Sequence, residues 1–292
     1  MGTVIDNISV SHGGWRTKHS ALHLAVEAAK ECLSSASCDP NDLDLVVNAG
    51  LYRDRNLGEP ALAALIQEDI GANPEDPHAG GHGTFSFDVA NGSCGALTAA
   101  QVIDGFLRTG TVTRGLVVTS DADPGHGMSK DFPFSPTGAA LLCSWRDSNY
   151  GFGDFHWVTI DDEKAFRATV GLEHRQNVLR FEISEDCADG YGAAAARAAE
   201  KCLAAEELDI DGLDLIVAAP GDRKFCIVLA SELGISPQRI TAATDANAHT
   251  SAILLAMKDA VSQLRPGGTA LLLAAGAGIE AAAVVYRMPP AT

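Results

Sequence analysis

The chain repeats itself, and that constrains its fold more than any single motif. The segment beginning at Ala25, AVEAAKECLSSASCDPNDLDLVVNAG, returns at Ala195 as AARAAEKCLAAEELDIDGLDLIVAAP. With a constant shift of 170 positions and no gap, Ala28, Ala29, Cys32, Leu33, Asp39, Leu43, Asp44, Leu45 and Val47 fall on Ala198, Ala199, Cys202, Leu203, Asp209, Leu213, Asp214, Leu215 and Val217. The Cys-Leu pair and the aspartate spacing go beyond what alanine-rich composition alone would repeat. A period this long marks a duplicated half-domain and not a solenoid. The halves are placed at 1–160 and 161–292.

Each half also holds a strand end, a turn of small residues and a long apolar segment: FDVANGSCGALTAAQ at 87–101 and TDANAHTSAILLAMKDA at 244–260. The turns carry Ser93 and Cys94 in the first half and His249 in the second. A shift of 156 overlays Ser93 on His249, so two pseudo-equivalent helices should start side by side, with their N-termini converging across an internal two-fold axis.

Alternating segments give a layered α/β domain. Helices are expected at 20–35, 60–70, 190–203, 228–233 and 251–264, besides the one after Ser93. Strands are expected at 43–49, 85–90, 115–120, 213–219, 239–243, 270–275 and 281–286. The run LDLVVNA is apolar enough to be covered on both faces. Residues 161–185 read as a polar, partly packed connection, and 73–84 as an exposed excursion rich in Gly, Pro and His. His78 and His82 in that excursion lack a third ligand at suitable spacing, so no metal is expected.

Composition excludes several functions. The net charge of −17 disfavours nucleic acid, whose phosphates need a basic face, and it disfavours an acidic carrier protein unless a local basic patch compensates. No apolar run reaches the roughly 18 residues of a spanning helix, and the polar start MGTVIDNISVSHGG is not a signal peptide. Seven scattered cysteines, an odd number without a C-x-x-C pair, suit reduced thiols in a cytoplasmic protein without zinc.

FDVANGSCGAL, the strand LVVTSD after it, the turn LGIS, the helix start HTSA and the ending LLLAAGAGIEAAAVVYR resemble a β-ketoacyl-ACP synthase III-type protein of the thiolase superfamily. The resemblance runs from about Ser20 onward. It implies a thiolase fold, five-layered αβαβα from two duplicated βαβαβαββ halves, working as a homodimer or as a heterodimer with a related chain. It further implies an acyl donor that is a CoA or acyl carrier protein thioester, and a covalent acyl-enzyme.

The sequence departs from that family at each catalytic position. Counted from Asp88, Ser93 followed by Cys94 and Gly95 stands where the family has its nucleophilic cysteine. The family's Pro-His-Gln-Ala-Asn motif is replaced by Ala218-Ala219-Pro220-Gly221-Asp222, and its Gly-Asn-Thr-Ser by Ala248-His249-Thr250-Ser251. A thiol at a helix N-terminus ionises readily, whereas a serine hydroxyl needs a base within reach. Ser93, with Cys94 as the alternative, is therefore expected to act with His249 as base and with Asp222 or Asp245 as the orienting carboxylate. By resemblance, the N–H of Ser93 and the turn Gly276-Ala277-Gly278 form the oxyanion hole, with Thr250 on the substrate side. Losing both enolate donors points away from carbon–carbon bond formation and towards transfer to a small-molecule alcohol, amine or thiol. A condensing enzyme with an altered triad and an inactive partner subunit are the alternatives. Ser93 as a mere helix cap and His249 as a buried structural histidine are the simpler readings. Trp15 and Arg16 invite comparison with the family's CoA-stacking loop, but the chain is shorter there.

Overall fold

The computed structural model describes residues 2–73, 83–161, 165–276 and 278–290. The excursion with His78 and His82, and Ala277 of the expected oxyanion turn, lie outside the described residues.

The first half runs β1 (Gly2–His12), α1 (Ala21–Ser35), β2 (Leu45–Asn48), α2 (Leu62–Ile70), β3 (Phe85–Asp88), α3 (Gly95–Arg108), β4 (Arg114–Asp121) and β5 (Thr137–Arg146). Next come β6 (Gly151–Phe152), β7 (His156–Thr159), β8 (Phe166–Glu173) and β9 (Gln176–Ile183). The second half continues with α4 (Cys187–Ala205), β10 (Leu215–Ala219), α5 (Arg223–Glu232), β11 (Ile240–Ala242), α6 (Ala252–Val261), β12 (Thr269–Gly276) and β13 (Glu280–Arg287).

The duplication is visible in the sheets. One has the order β1-β5-β4-β2-β3, and the other β11-β10-β12-β13 with β6 and β7 both on β13. In each, the two inner parallel pairs are followed by an antiparallel strand: β2 with β3 and β4, then β5; β10 with β11 and β12, then β13. The 170-residue shift holds at the level of single hydrogen bonds. Asp39 accepts from Asn41 N at 2.9 Å, and Asp209 accepts from Asp211 N at 2.9 Å, each capping one short turn before its strand.

Three cores separate five layers. Helices α1 and α2 pack their apolar faces on the first sheet. Helices α4 and α5 do the same on the second. Between the sheets lie α3 and α6, buried through Leu97, Ile103 and Leu107 and through Ile253, Leu254 and Met257. Both helices are apolar and small-sided where they meet the sheets, and they keep polar residues where solvent reaches them, Gln101 and Arg108 on α3 and Lys258 and Asp259 on α6.

The structure differs from the sequence reading in three places. Strands β1 and β5 carry no clear period-two alternation, and β5 is largely Ala, Leu and Gly; its place between β1 and β4, and not local propensity, makes it a strand. Within the stretch expected to be a connection, Phe166–Glu173 and Gln176–Ile183 form the β8–β9 hairpin, paired from Phe166–Ile183 to Glu173–Gln176. Strands β6 and β7 already pair with β13, so the second sheet recruits residues from the N-terminal side of the expected division at 160/161.

Candidate active site

The 3-10 turn Gly92–Cys94 leads into α3, and the turn holding His249 leads into α6. Neither helix start has a side-chain cap, so Ser93 is not the cap that its residue type would suggest. Asp88 caps a different helix: its carboxylate accepts from Leu62 N at 2.8 Å and Ala63 N at 2.7 Å at the start of α2.

Ser93 and His249 are both buried, 5% and 6% exposed, and both line one cavity of about 340 Å³ with Phe134, Phe166, Tyr191 and Asp222. The convergence expected from the 156-residue shift is therefore present. The imidazole is sandwiched among aromatic rings: its centroid lies 4.1 Å from Phe134 at an interplanar angle of 18°, and 5.4 Å from Tyr52 at 26°. Phe166 and Phe181, from the β8–β9 hairpin, complete the aromatic wall.

The carboxylate beside His249 is Asp121, and not Asp222 or Asp245 as the sequence suggested. Its Oδ2 lies 3.3 Å from His249 Nδ1. The same oxygen accepts from Thr250 N at 2.9 Å and from Thr250 Oγ1 at 2.7 Å, while Oδ1 accepts from Leu51 N at 3.3 Å and Tyr52 N at 2.9 Å. Asp121 is fully buried at the C-terminal end of β4, and hydrogen bonds to the carboxylate are what make such burial tolerable. A carboxylate accepts, so the ring nitrogen facing it, Nδ1, is the donor of this pair. One signal could have found this residue: an aspartate ending an apolar strand, at the sheet edge where sites of α/β folds assemble.

The other expected groups fall elsewhere. Asp222 lines the cavity, but its Oδ1 accepts from Phe225 N at 2.9 Å as the N-cap of α5. Asp245 accepts from Ser135 Oγ and Asn247 N, both at 3.0 Å. Thr250 is fully buried and committed to Asp121, so it is not on the substrate side. Cys94 points away from the cavity into the central core, where its thiol donates to Glu280 O at 3.4 Å. Burial, and next the Glu280 carboxylate, push that thiol far above its ordinary range, the opposite of what a nucleophilic cysteine needs. Gly276 packs on Ser93: a Cβ there would sit 3.1 Å from Ser93 N. Trp15 is 83% exposed with Arg16 over its ring, and neither lines the cavity. Among the described residues no cluster of potential metal ligands occurs, and no helix is long and apolar enough to cross a membrane.

Five layers built from two matching halves, with paired helix starts at the centre, define the class. The family of 3-oxoacyl-[acyl-carrier-protein] synthase III, C-terminal part, matches residues 203–288. Over most of its length the chain is similar to β-ketoacyl-[acyl-carrier-protein] synthase III of Acidiphilium cryptum, 24% identical with 92% of this chain and 84% of the relative covered. The protein of the same name from Paramagnetospirillum magneticum is 26% identical, with coverage of 97% and 90%. Among solved structures, 3-oxoacyl-[acyl-carrier-protein] synthase III from Aquifex aeolicus superposes with a TM-score of 0.82 at 17% identity, covering 98% of this chain and 100% of that one. The priming β-ketosynthase of the R1128 polyketide pathway gives 0.81 at 17% identity, with 99% and 97% covered. The fold is the thiolase fold, and the sequence is similar to β-ketoacyl-ACP synthase III proteins along most of its length.

Proposed function

We propose that this chain is an acyltransferase working through an acyl-serine on Ser93, with His249 as general base and Asp121 as the residue that orients it. The carrying observation is the Asp121–His249 pair at 3.3 Å, which directs a basic Nε2 away from the carboxylate in a cavity that Ser93 shares. A serine needs such a base, where a cysteine at the same helix start would not.

In the first half-reaction Ser93 Oγ attacks the carbonyl carbon of a thioester and passes its proton to His249 Nε2. The tetrahedral oxyanion is held by the backbone N–H of Ser93, at the helix start. The C–S bond then breaks, and His249 returns the proton to the leaving thiolate. In the second, His249 takes the proton of an alcohol, amine or thiol acceptor as it attacks the acyl carbon, and gives it back to Ser93 Oγ as the ester bond breaks.

The donor in this reading is an acyl thioester of CoA or of a carrier protein. Glu185 and Asp222 line the cavity, and Lys224 beside them is held by Asp189 at 2.6 Å, so the lining selects for the acyl thioester itself and not for an anionic carrier or CoA phosphate arm. The reading includes a dimer through the open edge of the first sheet, where Phe85 is 59% exposed on β3. A bare sheet edge with an exposed aromatic invites strand pairing.

The test is intact-protein mass spectrometry after incubation with short acyl-CoA and acyl-carrier thioesters. The expected result is an acyl adduct lost in Ser93→Ala, slowed in His249→Ala and kept in Cys94→Ala. An adduct that persists in Ser93→Ala, or none with any donor, overturns the proposal; the second outcome favours an inactive subunit pairing with a related chain. A β-keto product from a malonyl donor would instead establish a condensing enzyme.

A further inference from the structure

Ile279 is buried, 3% exposed, yet its backbone holds φ at +52°, directly after Gly278 at +70°. A left-handed conformation brings Cβ against the neighbouring carbonyl, and for a β-branched side chain it is a true outlier. Such strain persists only where the surroundings impose it, and it clusters at functional sites.

The surroundings can be named. The end of the Ile279 side chain fills a notch on α4 that exists because residue 190 is glycine: a Cβ on Gly190 would lie 2.5 Å from Ile279 Cδ1. The Ile279 carbonyl accepts from Ile160 N at 2.8 Å. The two ends of the 276–280 turn are fixed on the nucleophile's own turn. At one end, a Cβ on Gly276 would sit 3.1 Å from Ser93 N and 3.4 Å from Ser93 Cβ. At the other, Glu280 O receives the thiol of Cys94 at 3.4 Å. Gly276 and Glu280 thus pack on Ser93-Cys94, and Ile279 beside them packs on α4.

We propose that Ile279 is a positioning residue for the reaction of Ser93: its left-handed backbone, keyed into the notch at Gly190, sets Gly276 and Glu280 against the Ser93-Cys94 turn so that the N–H of Ser93 meets the oxyanion. This rests on the acyl-serine reading.

An alkyl fluorophosphonate tests the role without requiring the natural donor, because it labels an activated serine and places an oxygen in the oxyanion site. Labelling rates are measured by intact mass on the wild type, Ile279→Gly, Ile279→Val, Gly190→Ala and the double variant Gly190→Ala/Ile279→Val, with the melting temperature of each as a check on folding. Ile279→Gly frees the backbone and removes the key; its labelling should fall about 10- to 100-fold, with the pH midpoint set by the base unchanged. Gly190→Ala should fall similarly. Shortening its neighbour to valine removes the clashing Cδ1, so the double variant should recover to within about threefold of Ile279→Val alone. Equal labelling of wild type and Ile279→Gly at a lowered melting temperature, or a double variant no faster than Gly190→Ala, would overturn the positioning role while leaving Ser93 in place. A wild type that does not label at Ser93 overturns the acyl-serine reading and the positioning role with it.

Discussion

Asp121 Oδ2 lies 3.3 Å from His249 Nδ1 although 128 residues separate the two in sequence. One carboxylate thereby fixes the ring of the candidate base and, through Leu51, Tyr52 and Thr250, the two loops on either side of it. Asp121→Asn should leave a folded protein that is about 10²- to 10⁴-fold slower in Ser93 acylation, because an amide can hold the wrong tautomer. Asp121→Ala should in addition lose about 2–5 kcal/mol of stability, since buried donors lose their acceptor. Rates by intact mass and stability by urea unfolding separate the two effects; unchanged rates in Asp121→Asn would remove Asp121 from the site.

The hydroxyl of Tyr52 is buried and has no hydrogen-bond partner among the described residues, while its ring packs on Phe134, Phe181 and His249. Phenylalanine keeps every ring contact and removes the unpaired group. Tyr52→Phe is expected to raise stability by about 1 kcal/mol. A lower melting temperature would mean that the hydroxyl has a partner in solution.

Thiol reactivity should follow burial. Cys187 and Cys226 are half-exposed, whereas Cys32, Cys94, Cys143 and Cys202 are buried, and burial raises the Cys32 and Cys202 thiols to about 12. Iodoacetamide at pH 8 should modify Cys187 and Cys226 first and leave Cys94 intact until the protein unfolds. Peptide mapping that finds Cys94 alkylated early would make it a contender for the nucleophile again.

Asp214 accepts from Thr269 N and from Arg265, both at 2.9 Å, and these bonds hold its carboxyl below the ordinary aspartate range. A depressed folded value means that the stabilisation is present above the unfolded pKa and is lost as pH falls through the folded one. The stability gap between wild type and Asp214→Asn should be level from pH 5 to 8 and shrink below about pH 4. Urea titrations across that range check the sign; a gap that widens in acid would contradict it.

The open edge of β3 gives a fifth test. Phe85→Lys should shift the protein from dimer to monomer in sedimentation, with the melting temperature of the monomer little changed, because Phe85 is 59% exposed in the single chain and a lysine on an edge strand discourages pairing. A dimer that persists would place the interface elsewhere.

Much of the fold could be read before any coordinates. Gap-free identity between residues 25–50 and 195–220 is a local property of the chain, and duplication carries the architecture with it: matching aspartates cap matching turns, and matching LDLVV and LDLIV runs become β2 and β10. The small-residue turns before two largely apolar helices likewise marked Ser93 and His249, because a helix with so wide an apolar face packs on more than one neighbour. What the sequence could not decide was set by contacts between distant segments. Strand β5 exists because β1 and β4 flank it. Asp121 rather than Asp222 faces His249, because Asp222 lies at the start of α5 and its carboxylate is drawn to that helix's free N–H, whereas β4 delivers Asp121 beneath the second helix start. Whether a hydroxyl or a thiol at adjacent positions faces the cavity depends on a single step around one turn. Only the packing of β13 against Cys94 decided it.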